Sequence, residues 1–143
     1  MRIKTFSSKK SNFSEALLES KNSISETSNL IMLYANSEHD WSKLSQSVSS
    51  HFPESKIIGA SSSRGFLSND GNFFDENYGI GVFAIEDYSG EIGVGFSSSA
   101  DPQMVAKEVC DRMLDNAQRE GEIPDLGGII TSCLLYTSDA ADD

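Results

Sequence analysis

Two short polar stretches hold most of the side chains with which this sequence could do chemistry. One reads Asn36-Ser37-Glu38-His39-Asp40, the other Gly59-Ala60-Ser61-Ser62-Ser63-Arg64-Gly65. In the second, three hydroxyls can donate or accept, Arg64 offers a planar fork suited to a carboxylate, and Gly59 and Gly65 permit close backbone approach or positive φ. With Ser37, His39 and Asp40 opposite, they suit a cradle for a small polar or anionic ligand. The same composition also fits a solvated serine-rich turn in which Arg64 pairs with a surface acid. Hydrolysis would need a nucleophile and a base, but Ser61 to Ser63 lack the Gly-x-Ser-x-Gly elbow. His39 and Asp40, adjacent on one helix, would point about 100° apart. No residue is assigned a catalytic role, and the chain reads as a non-enzyme. Asp70, Asn72, Asp75 and Glu76 cluster oxygens without the spacing of a calcium loop, so they read as a polar turn and no metal ligands are assigned.

Positioning the two stretches falls to a β-α-β unit. Residues 30–35, Leu-Ile-Met-Leu-Tyr-Ala, form a short apolar run between Asn29 and Asn36, the pattern of a central strand. Ser37 three residues before Asp40 resembles a capping box, and Trp41, Leu44, Val48 and Phe52 then keep helical spacing until Pro53. Residues 56–60 are the second, parallel strand, and the C-terminal ends of both strands open on one edge of the sheet, where ligands of such folds bind. Upstream, Phe13, Ala16, Leu17 and Ile24 predict an amphipathic helix over 12–26. Downstream, Asn69-Asp70-Gly71 predicts a small hairpin, and 78–85 with 91–97 predict two antiparallel strands joined through 87–90. Their glycines, Gly79, Gly81, Gly93 and Gly95, read as places where another element packs closely. Asp101 and Pro102 open the strongest helix, with Val105, Val109, Met113 and Ala117 on one stripe and Cys110 on its apolar side. A last strand is expected over 126–131. The fold class is therefore α/β, a mixed parallel and antiparallel sheet with packed helices. No internal repeat, linker or low-complexity tract is legible.

The chain has 143 residues, 38% apolar and 9% aromatic, ordinary values for a globular core. Eleven basic against 22 acidic residues give a net charge of −11, leaving no basic surplus for phosphates or anionic lipid. Nucleic acid and membrane insertion are accordingly not expected. The first ten residues lack the apolar stretch of a signal peptide, so a cytoplasmic location is expected. Residues 133–143, Cys-Leu-Leu-Tyr-Thr-Ser-Asp-Ala-Ala-Asp-Asp, resemble the in-frame translation of a sequencing-library adapter and are set apart from the fold. That tail carries three of the 22 acids and no base, so residues 1–132 hold 19 acids against 11 bases, a charge of −8. Cys110 is then the one natural cysteine, too few for a disulfide.

The strand over 30–35, the helix begun near Ser37 and Asp40, and the strand running into Gly59, Ala60, Ser61 and Ser62 with Gly65 closing the loop resemble the N-terminal FIST domain. That module is named for F-box and intracellular signal transduction proteins. The likeness spans about residues 30–131; the commoner pattern has a shorter loop and an acid after its final glycine, where Phe66 stands here. The resemblance implies a domain over 1–132, truncated at its C-terminus, that binds a small polar ligand such as an amino acid. It further implies relay to a C-terminal FIST half and to a signalling output protein such as a chemoreceptor, kinase or cyclase. Some members bind haem, for which His39 is the candidate axial ligand here. A ligand-free interaction or scaffold domain is the first alternative, followed by a haem-binding sensor or a serine hydrolase.

Overall fold

A computed structural model describes residues 1–10, 12–20, 23–36, 38–62, 67–68, 71–72, 79–98, 101–128 and 130. The elements run β1 (Arg2–Ser8), α1 (Phe13–Ser20), β2 (Leu30–Asn36), α2 (Trp41–His51), β3 (Lys56–Ser62), β4 (Leu67–Ser68), β5 (Gly71–Asn72), β6 (Ile80–Glu86) and α3 (Pro102–Asn116). Four strands form one mixed sheet in the order β1-β6-β2-β3, and β4 pairs with β5 in a separate two-stranded ribbon. The α/β class read from the sequence is the class observed.

The apolar run of β2 makes it central because both its faces are apolar. It pairs with β3 in parallel, Leu33 beside Gly59, and with β6 antiparallel, Leu33 beside Val82. Ile31, Leu33 and Ala35 point to one face and join Ile80, Val82 and Ala84 of β6. The same face receives Ala16 and Leu17 of α1, Leu44 and Val48 of α2, and Phe52 just beyond it. Leu30, Met32 and Tyr34, on the opposite face, are half-buried.

Helix α1 is shorter than the apolar spacing predicts. Asn12 caps it, its Oδ1 accepting from Ser14 N at 3.0 Å, but the helix ends at Ser20. There the Ser20 hydroxyl donates back to Leu17 O at 2.7 Å, and Ser23 and Ile24 both donate to Ser20 O, closing a turn. Such local side-chain bonds compete with helix propagation. Ile24 still reaches the core, 2% exposed, from outside the helix.

The expected hairpin between 78–85 and 91–97 is corrected. β6 spends both edges on other partners, β2 on one side and β1 on the other, with Ile3 beside Ile85 and Phe6 beside Val82. Residues 91–98 consequently join no ladder among the described residues. Strand β1 went unforeseen because Arg-Ile-Lys-Thr-Phe-Ser-Ser carries the polar residues that edge strands use, which hide its alternation. The ribbon expected around Asn69-Asp70-Gly71 forms, with Leu67 beside Asn72 and Ser68 beside Gly71; residues 69 and 70 lie outside the described residues.

Helix α3 has the expected cap. Asp101 accepts from Gln103 N and Met104 N, and Pro102 takes the first helical turn. Its partner is the extended 91–98 stretch, not the sheet core. A Cβ on Gly93 would meet Met113 O and one on Gly95 would meet Val109 O, so the glycines let the helix backbone lie directly on the backbone of that stretch. Ser97 donates to Glu108 at 2.6 Å, and Arg119 pairs with Glu91 at 2.7 Å. A direct polar link to the sheet is Lys56 Nζ donating to Asn116 O at 3.3 Å. No described side chain of α3 is buried, and Cys110, expected on a buried stripe, is exposed. Nor do the described residues of 126–131 form a strand; Leu126 is 86% exposed. No helix among the described residues is long and apolar enough to cross a membrane.

Candidate functional site

The parallel register of β2 and β3 brings the two polar stretches to one edge. Ala35 lies beside Ser61 and Asn36 beside Ser62, so both strands finish together. Ser61 is exposed and Ser62 half-buried. Asn36 is tied down on both sides: its N–H donates to Gly79 O at 3.0 Å, and its Oδ1 accepts from Glu38 N at 3.1 Å in an Asx turn. That turn steers the chain off β2 and into α2. The beginning of β6 therefore borders the same edge, through Gly79.

Asp40 has a structural task. It is the N-cap of α2, its Oδ1 accepting from Ser42 N at 3.1 Å and Lys43 N at 3.2 Å, and Lys43 Nζ lies 3.4 Å from Oδ2. The Lys43 backbone N–H, ahead of the Lys43 ammonium and the Ser42 N–H, holds the Asp40 carboxyl below the ordinary aspartate value. The cap is Asp40 itself; Ser37, expected to begin a capping box, lies outside the described residues.

His39 meets α1. Its ring is 9% exposed and meets Phe13 of α1 edge-on, centroids 6.3 Å apart at 72°. It lines a groove of about 380 Å³ between α1 and α2, shared with Asn12, Phe13, Lys43, Gln46 and Ser47. A neighbouring groove of about 520 Å³ continues between the same helices to His51, past Leu17 and Leu18. Sequence reasoning did not pair these residues. The one signal for such a groove was the helical spacing on α1 and α2, which tells which faces meet but not where they part.

Gly59 sits within β3 rather than in the loop. A Cβ there would come 3.0 Å from Leu33 O, so its bareness serves the packing of the strand pair. Ser63, Arg64 and Gly65 lie outside the described residues. Of the nine residues singled out from the sequence, the structure thus sets Ser61 and Ser62 at the shared edge. Gly59 lies behind them in the sheet, and Asp40 and His39 in the helical layer. No family model, curated protein or solved structure matches this chain.

Proposed function

We propose that this chain is a non-enzymatic sensory domain of the FIST type that binds a small polar ligand, an amino acid in the first instance, at the edge where β2 and β3 end. The observation that supports the reading is the register placing Asn36 beside Ser62. It makes Asn36 and Ser62 the ends of one shared edge, and such edges are the customary ligand sites of parallel β-α-β units. Hydroxyls of Ser61 to Ser63 and the guanidinium of Arg64 would supply donors for a carboxylate. Binding would act by differential affinity for two conformations, since a ligand that favours neither shifts nothing. A C-terminal half and an output protein such as a chemoreceptor, kinase or cyclase would receive that shift.

Calorimetric titration of the full chain with the twenty amino acids tests this reading. At least one should bind saturably, and Arg64→Ala should weaken it about tenfold or more while the circular dichroism stays unchanged. A ligand present at a hundred times its Kd should add about 2.7 kcal/mol to the unfolding free energy. Absence of binding across the panel, or binding untouched by Arg64→Ala and Ser62→Ala together, would contradict the proposal.

A further inference from the structure

A repeat that the amino-acid identities conceal emerges in the geometry. Ser8, at the end of β1, donates its hydroxyl to Glu19 of α1 at 3.1 Å, and Ser97 donates to Glu108 of α3 at 2.6 Å. Both bonds span eleven residues. Four residues after each serine comes the helix cap, Asn12 in the first and Asp101 in the second, each accepting from the backbone N–H groups two and three residues on. Ser8 with Asn12 and Glu19, and Ser97 with Asp101 and Glu108, thus correspond position for position in spacing and bonding. The alignment lays β1, Arg2–Ser8, over residues 91–97, with Ile3 on Ile92, Thr5 on Val94 and Phe6 on Gly95.

The faces correspond as well. Phe6 packs against the core beside α1, and its counterpart Gly95 lies under α3, as Gly93 does. Ile3 and Thr5 point to the other face of the sheet, and so do Ile92 and Val94 in their own unit. The difference lies in pairing: β1 is joined along its length to β6, antiparallel, whereas 91–97 belong to no ladder among the described residues.

One edge of that stretch is already closed. Val94 N–H donates to Asn116 Oδ1 at 3.2 Å, and Arg112 donates to Phe96 O. Residues two apart aim their backbone groups at the same edge, so the groups of Gly93, Gly95 and Ser97 face the other one. Beside it Phe96 is 74% exposed. Arg112 there pairs with Glu108, and Arg119 with both Glu91 and Glu122.

We propose that residues 91–97 are a docking strand, repeating the role of β1, that accepts through the backbone of Gly93, Gly95 and Ser97 an antiparallel strand with the apolar alternation of β6. The partner is thus an extended segment in which bulky Ile, Val or Phe side chains alternate with small ones, as in Ile80-Gly81-Val82-Phe83-Ala84-Ile85. Backbone bonds supply the affinity and the alternate side chains, meeting Ile92, Val94 and Phe96, supply the choice.

Amide hydrogen exchange of the full chain, with and without a peptide of residues 79–87 flanked by lysines, tests this. Saturating peptide should slow exchange at Gly93, Gly95 and Ser97 at least tenfold. The same peptide N-methylated on its pairing edge should not, and neither should the parent peptide act on the Ile92→Glu, Phe96→Glu double variant, whose folding is checked by circular dichroism. Protection that survives N-methylation, that falls on β3 instead, or that is missing altogether overturns the proposal. So does protection that rises with protein concentration in the absence of peptide, which would make a second copy the occupant.

Discussion

At the residue scale the molecule gives one carboxylate and one ring tasks that composition alone does not separate. Asp40 looks like a ligand group in the sequence, yet its oxygens are engaged by the first turn of α2. Its folded-state pKa lies below the ordinary 3.8, chiefly through the Lys43 N–H, so its contribution is fully present above the unfolded value and is lost as pH falls through the folded one. Asp40→Ala should therefore lower the melting temperature at pH 7, and the gap between variant and parent should close as the pH is taken below 3.8. A gap of constant size down to pH 2 would show that the carboxylate is not what matters there. Phe52 is 1% exposed at the end of α2, where Pro53 marks the stop in the sequence. Phe52→Ala should cost about 3–5 kcal/mol by urea denaturation, through lost burial and an unfilled cavity. His39 was legible as a polar residue near the start of a helix; that its ring would turn toward Phe13 depended on where α1 packs, a long-range fact that local spacing does not carry.

Elements follow the sequence where a pattern is strong and local, and depart from it where two segments compete for one edge. β2, α2 and β3 were readable because an unbroken apolar run, a helical stripe and a second apolar run permit few alternatives. The competition for β6 was not readable, since 91–97 has the better β pattern and β1 is diluted by Arg2, Lys4 and three hydroxyl residues. The glycines explain the outcome in part: Gly93 and Gly95 fit the backbone of α3, and a side chain there would collide with it. Replacing both with valine should detach α3 from its strand and lose the Ser97 to Glu108 bond. The four-stranded sheet should melt at nearly the same temperature, because α3 contributes no buried side chain among those described. Limited proteolysis within 102–116 together with a melting curve would show both effects, and a fall in sheet stability as large as that of Phe52→Ala would contradict this division of the chain.

Taken whole, the chain is a mixed α/β sheet with two helices on its core face and a strand-helix pair, 91–98 with α3, held mainly by its own polar contacts. At the shared edge of β2 and β3 the described residues Asn36, Ser61 and Ser62 offer an amide and hydroxyls beside the backbone. The sensor reading makes a spatial claim: ligand belongs at that edge and not in the α1/α2 groove that holds His39 and His51. Backbone amide chemical shifts of the isotope-labelled full chain, followed through titration with the best-binding amino acid, test it most directly. The account predicts saturable shifts at Asn36, Ser61, Ser62 and Gly79 with little change at Ser14, Gln46 and Ser47. Shifts confined to the groove residues, or no saturable shift at the β2 and β3 edge, would contradict it.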